Sequence, residues 1–212
     1  QVGLLYLLAR LADTIADSKT EDVDALIEAL DGYQNCLIEN EIRDLQNIAN
    51  MQEDLDEKRL LENLDFVISE YRKIDPKDAI LMQHCLDVII SGQRLDLVRF
   101  GALGSELTSL KNDSELDDYA YRVAGSVGEF WTAITLQNEL SGDVSDTELF
   151  DELGIRFGKA LQMTNILRDI PADLALGRCY IPSDRLEEIG LNHHDLKNLD
   201  SIESFRPLYD YY

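Results

Sequence analysis

Apolar residues return at three- and four-residue spacing along nearly the whole chain while strand-type alternation is scarce, which predicts helix after helix. The pattern places helices at about 2–18, 21–49, 54–73, 76–101, 114–140 and 145–170, with shorter ones near 184–190 and 201–212. Punctuation agrees with this scheme. Asp75-Pro76 offers an N-cap followed by proline in the first turn, and Ser145-Asp146-Thr147-Glu148 reads as a capping box. Pro171 removes one helical hydrogen bond, so the last long helix is expected to bend or end there. No Gly/Ser/Pro-rich linker divides the chain and no solenoid repeat is visible, which leaves one all-α domain over 1–212.

Polar positions interrupt the apolar faces at two places. Tyr6, Arg10, Asp13 and Asp17 stand at offsets of 0, 4, 7 and 11, and Gln162, Asn165, Asp169 and Asp173 at 0, 3, 7 and 11. At about 100° per residue, each set of four shares a narrow stripe on one face of a helix. Like charges at i, i+4 repel by roughly a few tenths of a kcal/mol. Two such acidic pairs on otherwise apolar helices call for something positive between them.

The composition narrows what that can be. With 212 residues, 45% of them hydrophobic and 29% charged, the chain can bury one large core. Lys+Arg of 19 against Asp+Glu of 42 gives a formal charge of −23, which argues against a nucleic-acid partner and against attraction to anionic lipid. A polyanionic ligand would bind only where cations or local arginines reverse the field. Cys36, Cys85 and Cys179 are odd in number and lack metal-ligand spacing, as expected of buried free thiols in a reduced, intracellular setting. The chain has no run of about 18 apolar residues, and its start, Gln1-Val2-Gly3-Leu4, lacks a signal-peptide pattern and looks like the inside of a helix.

Mg²⁺ prefers oxygen ligands and is commonly held by one or two carboxylates together with substrate phosphates. Facing Asp pairs could hold several such ions and turn an acidic cleft into a receptor for a diphosphate. If pyrophosphate leaves, the organic fragment becomes a carbocation, which needs a dry, apolar, preferably aromatic cavity. Ala124, Gly125, Ser126 and Gly128 form one patch of small residues, and Gly154 and Gly158 another. Such patches either leave room for a long flat hydrocarbon or let two helices pack closely.

Gly158-Lys-Ala-Leu-Gln162-Met-Thr-Asn165-Ile-Leu-Arg168-Asp169-Ile-Pro-Ala-Asp173, followed by Gly177-Arg178-Cys-Tyr180-Ile-Pro182, resembles the second aspartate-rich signature of the squalene/phytoene synthase family. Arg10-Leu-Ala-Asp13-Thr-Ile-Ala-Asp17 resembles the first. Between them, Tyr119-Ala-Tyr-Arg-Val123-Ala124-Gly125-Ser-Val127-Gly128 is similar to the family's central helix, and Ser91-Gly92-Gln-Arg-Leu-Asp96-Leu to its preceding short motif. The order is the family's, and the four motifs cover nearly all of the chain.

The resemblance implies an isoprenoid-synthase helical bundle with a central cavity, and head-to-head, 1′-1 condensation of two prenyl diphosphates. Most directly it implies two farnesyl diphosphates giving presqualene diphosphate and squalene or a related C30 product; Asp13-Thr14 resembles the squalene-forming branch. The alternatives are a C40 phytoene synthase using geranylgeranyl diphosphate, and a catalytically silent helical scaffold of the same fold. Carried over by position, Asp13, Asp17, Asp169 and Asp173 would bind Mg²⁺, or Mn²⁺ in its place, with Asn165 as a further ligand. Arg10, Arg168 and Arg178 would contact phosphate oxygens, and Gln162 would lie beside the reacting centre. Tyr6 and Tyr180 would place phenols near the diphosphate. Tyr119, Val123, Ala124, Val127, Gly128, Phe157, Gly158 and Leu161 would line the prenyl channel. NADPH would serve a reductive second step by family analogy, since no dinucleotide fingerprint is present. The expected setting is cytoplasmic, with peripheral contact at a membrane surface. Family members carry segments before and after the region matched, so residues 1–212 are expected to lack both. Pro171-Ala172 stands where an acidic residue commonly precedes the last Asp of the signature.

Overall fold

The computed structural model describes residues 1–18, 22–38, 45–101, 106–140 and 146–212. The first helix, α1, covers Val2–Ala16 and buries Leu8, Leu11, Ala12 and Ile15. The helix expected over 21–49 is broken. α2 covers Val23–Ile38 and α3 (Gln46–Met51) starts afresh after Leu45, whose ψ of 19° is not helical; residues 39–44 lie outside those described. The stretch expected over 54–73 is also two helices, α4 (Leu55–Glu62) and α5 (Leu64–Tyr71). Asn63 separates them, its side-chain amide donating to the Arg59 carbonyl at 2.7 Å, a local bond that competes with the helix ladder.

α6 (Pro76–Phe100) begins as expected: the Asp75 carboxylate accepts from the Lys77 N–H at 2.9 Å, and Pro76 occupies the first turn, where no N–H is needed. It stops at Gly101, whose φ of 75° suits glycine. The helical stretch expected over 114–140 is α7 (Asp113–Ala120), a π turn over Tyr121–Gly125, and α8 (Ser126–Asn138). α9 (Thr147–Ala175) is capped by Asp146, which accepts from the Leu149 N–H at 2.9 Å. The cap therefore falls one residue later than a Ser145 box requires, and Ser145 itself is outside the described residues.

α9 also runs through Pro171, correcting the expected break. Pro171 sits on the exposed side, while Leu174 beyond it is buried in the core, and that packing offsets the lost hydrogen bond. Gly177, at φ 88°, then turns the chain into a two-residue strand, β2 (Arg178–Cys179), which pairs in parallel with β1 (Thr108–Ser109), Thr108 opposite Arg178. Two residues are too few to show alternation, so the sequence pattern gave no sign of this ladder. α10 (Ser183–Glu188) and α11 (Ile202–Tyr211) follow close to their expected places.

Two apolar clusters form the interior. One joins α1, α2, α5 and α6 around Leu11, Leu30, Tyr33, Ile68, Leu86 and Ile90. The other gathers Phe100, Leu116, Tyr119, Ile166, Leu174, Tyr180 and Leu186. α6 belongs to both, and its polar residues Gln93 and Asp96 lie near the passage from one to the other. Cys36, Cys85 and Cys179 are all buried, and burial pushes the last two thiols up to about 12. Among the described residues no helix is long and apolar enough to cross a membrane.

The small residues serve close packing. A Cβ built on Gly128 would stand 2.0 Å from the Gly154 carbonyl oxygen, and one on Gly158 would stand 2.2 Å from that of Ala124. α8 and α9 thus meet backbone to backbone, a contact that no larger residue permits at these positions.

Candidate active site

Four segments deliver polar groups to one cleft of about 230 Å³. α1 contributes Asp13 and Asp17, α6 contributes Gln93 and Asp96, α9 contributes Gln162, and the β2 segment contributes Arg178 and Tyr180; Tyr119 and Val123 complete the wall. Side chains alternate along extended backbone, so Arg178 and Tyr180 share one side of the β2 segment and Cys179 takes the other. The short ladder to β1 is what fixes their register.

Tyr180 is the best anchored of these groups. Its hydroxyl donates to Asp96 Oδ2 at 2.7 Å, its ring stacks on Tyr119 with centroids 4.4 Å apart at 20°, and Phe100 meets it edge-on at 5.2 Å. Burial raises both phenols well above their ordinary values, and Asp96 adds to the effect. Asp96 is itself raised to about 7, chiefly by burial, although Tyr180, Arg178 and Arg99 pull it down. Arg178 Nη2 donates to Asp17 Oδ1 at 3.2 Å. Burial alone would weaken its charge, but Tyr180, Asp17 and Asp96 around it favour the charged form, and the net shift is upward.

The carboxylates of the two combs act on one another. Asp13 rises to about 6 by desolvation and then by repulsion from Asp17; Arg10 and the hydrogen bond from Gln93 oppose the rise. Half of the Asp13 side chain still faces solvent, which screens part of that interaction. Asp173 also rises to about 6, through desolvation and repulsion from Asp169 and Asp17, against the attraction of Arg178. It lines a small adjoining recess that shares Arg178 and Tyr180 with the cleft.

Asp169 does not turn into the cleft. It pairs with Arg168, which donates to its two oxygens at 2.7 and 2.5 Å, and this holds the Asp169 carboxyl below its usual range. Arg10 is paired with Glu57 on α4. Asn165 reaches only Gln162, at 3.5 Å, and Gln162 in turn reaches the Tyr119 hydroxyl at the same distance.

Several expected site residues lie elsewhere. Tyr6 is exposed and lines a separate open depression of about 590 Å³ with Arg10, Glu57 and Arg59, because it sits two helical turns before Asp13 and faces α4 and α5. Gly128, Gly158 and Ala124 belong to the packing of α9 on α8 and on the π turn before it, where a Cβ on either glycine would meet facing backbone, so the structure gives them a packing role. Val127 packs against the first apolar cluster. Phe157 and Leu161 are exposed on α9; with Phe150 and Leu153 they form an apolar stripe at helical spacing. Thr14 is buried in the core beside Asp13, and so the residue that resembled the squalene-forming branch does not face the cleft.

Gln93 and Asp96 are the cleft residues that pattern reasoning left without a role. Their signal was present: polar residues at i, i+3 within a stretch of apolar helix, inside a motif already quoted. Each carries a buried oxygen, Gln93 Oε1 and Asp96 Oδ1, that has no hydrogen-bond partner among the described residues.

The donor set suits a hard cation. Among the described residues no three His, Cys, Asp or Glu side chains are grouped so as to share one metal ion. Mg²⁺ needs no such cage, because one or two carboxylates suffice when water and substrate phosphate complete its shell. Asp13 and Asp17 in the cleft and Asp173 in the adjoining recess are all-oxygen donors, and burial followed by repulsion from neighbouring carboxylates raises Asp13 and Asp173 to about 6.

The sequence pattern of the squalene/phytoene synthase family matches residues 1–211. The chain is 35% identical over 124 residues to a 15-cis-phytoene synthase of Synechocystis, covering 57% of this chain and 34% of that protein. It is 30% identical over 206 residues to a bifunctional lycopene cyclase/phytoene synthase of Neurospora crassa, covering 90% of this chain and 32% of that protein. A presqualene diphosphate synthase of Zymomonas mobilis is 34% identical over 111 residues, covering 52% of this chain and 33% of its own length. The chain thus spans about a third of the length of these curated relatives. Among solved structures, the squalene synthase HpnC from Alicyclobacillus acidocaldarius superposes with a TM-score of 0.60 at 22% identity, over 96% of this chain and 63% of that one. TcSQS in complex with a ligand gives 0.76 at 20% identity, over 98% and 57%. Both likenesses establish the all-α fold.

Proposed function

This chain belongs to the squalene/phytoene synthase family, and from that premise we propose that it carries the site for Mg²⁺-dependent head-to-head condensation of two prenyl diphosphates. The observation that supports this reading best is the convergence of Asp13, Asp17, Arg178, Gln162, Tyr119 and Tyr180 on one cleft from distant parts of the sequence.

Asp13, Asp17 and Asp173 would hold Mg²⁺, with Asp169 and Asn165 at the rim. Bound there, the metal supplies the positive charge that a departing pyrophosphate needs. Arg178 is placed to exchange its bond with Asp17 for a phosphate oxygen, and Arg10 and Arg168 are placed to leave Glu57 and Asp169 for the same purpose. The stacked pair Tyr119 and Tyr180, with Val123, would give a developing carbocation an aromatic wall. The apolar stripe of α9 that includes Phe157 and Leu161 continues outward as the surface along which a prenyl tail would run. A silent scaffold would have no use for carboxylates raised to about 6 by burial and by repulsion from one another, and their presence favours catalysis.

Two farnesyl diphosphates giving presqualene diphosphate and a C30 hydrocarbon is the leading reaction, with NADPH used if reduction follows. The C40 reaction of geranylgeranyl diphosphate is the second reading; it is favoured by the phytoene synthases among the relatives and by the burial of Thr14, which removes the pointer to the squalene branch. A cytoplasmic enzyme meeting its product at a membrane surface suits either. The test is incubation of the natural full-length protein with Mg²⁺ and each diphosphate, with and without NADPH, followed by product analysis. A C30 or C40 hydrocarbon or a cyclopropyl diphosphate is expected. Release of pyrophosphate without 1′-1 coupling would defeat the proposal.

A further inference from the structure

The floor of the cleft contains a buried carboxylate to which the proposed mechanism gives no task. Asp96 is 7% exposed, on the face of α6 that looks into the cleft. Its Oδ2 accepts from the Tyr180 hydroxyl at 2.7 Å, and its Oδ1 is buried without a partner among the described residues. Burying a carboxylate with one oxygen unpaired costs stability. A residue kept only for packing would be apolar here, since Leu97 and Phe100 beside it already are.

The bond has a directional consequence. Because the Tyr180 hydroxyl donates to Asp96 Oδ2, its one proton is committed to that bond and the phenol cannot offer it to a diphosphate while the bond stands. Arg178 and the Tyr119 hydroxyl also engage the Tyr180 oxygen, so what Tyr180 presents to the cleft is its ring, made more electron-rich by the hydrogen bond it donates. The same bond fixes the ring in its stack on Tyr119, whose hydroxyl is in reach of Gln162.

We propose that Asp96 is the positioning residue of this site: it holds the Tyr180 phenol with its O–H turned away from the cleft, so that Tyr180 serves a cationic reaction centre as an electron donor and not a diphosphate as an acid. The step it serves rests on the condensation reading; the positioning itself does not.

The experiment is a double-mutant cycle in the natural full-length protein. Asp96→Asn keeps the shape and exchanges the carboxyl acceptor for an amide, Asp96→Ala removes the acceptor, and Tyr180→Phe removes the donor. With Mg²⁺ and the prenyl diphosphate that the wild type uses, kcat is expected to fall about tenfold for Asp96→Asn and further for Asp96→Ala, with KM within about threefold. In the Tyr180→Phe background neither substitution should lower kcat by more than about twofold, because the group through which Asp96 acts is gone. Equal fractional losses in both backgrounds, or wild-type kcat in Asp96→Asn, overturn the proposal; should Asp96→Ala not fold, the two Asn arms decide. Positioning is also read without turnover. In a crystal structure of Asp96→Asn the Tyr180 hydroxyl is expected to shift and the stack on Tyr119 to loosen. In wild-type protein the hydroxyl should face Asp96, and a wild-type crystal structure with it turned into the cleft would overturn the assignment even if the protein makes no product. Absence of product from wild type with an intact Asp96–Tyr180 bond would defeat the condensation reading alone.

Discussion

Replacing Gly128 by alanine tests whether the α8–α9 contact sets the geometry of the candidate site. The added Cβ would lie 2.0 Å from the Gly154 carbonyl oxygen and 2.6 Å from its carbon, against 3.4–4 Å for ordinary contact. Both opposing atoms are backbone, so relief requires the helices to part by more than about 1 Å, which a packed interface resists. Overpacking of this kind costs about 1–3 kcal/mol, and a clash this deep belongs at the upper end. Alanine returns about 1 kcal/mol of helix propensity. The net expectation is a loss of about 2 kcal/mol, which for a chain of this size lowers Tm by about 4–8 °C. Calorimetric or circular-dichroism melting measures it directly. Gly3→Ala is the matched control, because nothing lies within 4 Å of a Cβ there. Gly128→Ala with Gly154→Ala should cost less than the sum of the two, since both relieve the same contact. A Gly128→Ala protein melting at or above the wild-type temperature would refute backbone-to-backbone packing and reopen the possibility that these residues border a channel.

Two further outcomes follow from charges buried elsewhere. Asp96 stands at about 7 in the folded protein against an ordinary 3.8, with Tyr180, Arg178, Arg99 and Asp17 facing it, so its contribution to stability is present below about pH 4 and lost as pH rises through about 7. Three units at about 1.4 kcal/mol each set a ceiling of about 4 kcal/mol, and an unpaired amide N–H takes back about 2, so Asp96→Asn should gain about 2 kcal/mol at pH 8 and nothing at pH 5. An equal shift at both values in pH-dependent denaturation would contradict the assigned cause. Asp78, buried on α6, accepts from the side-chain amides of Gln1 and Gln137 at 2.6 Å and of Asn138 at 3.1 Å, tying α8 and the start of the chain to α6. Asp78→Ala should cost about 2 kcal/mol by urea denaturation, and a change under about 0.5 would show that these amides find other partners.

The near-repeated combs were legible because helical periodicity is local. Offsets of three, four, seven and eleven specify a face without knowledge of any neighbour, and the cap at Asp75 depends on residues within one turn. The family motifs were legible for the same reason, being runs of adjacent residues. What needed tertiary structure was everything about orientation. Asp173 meets Arg178 and Asp17, whereas Asp169, one turn earlier on the same stripe, turns to Arg168. Tyr6 belongs to Arg10's stripe yet looks onto α4.

The sequence by itself determined an all-α chain, two acidic helical faces and the identity of the groups on them, since these follow from spacing within single helices. Tertiary structure alone decided that glycines 128, 154 and 158 are a helix contact, that Gln93 and Asp96 stand in the cleft, and that a two-residue ladder carries Arg178 and Tyr180 to it. Each of those depends on which surfaces meet across scores of residues, and no local period records that.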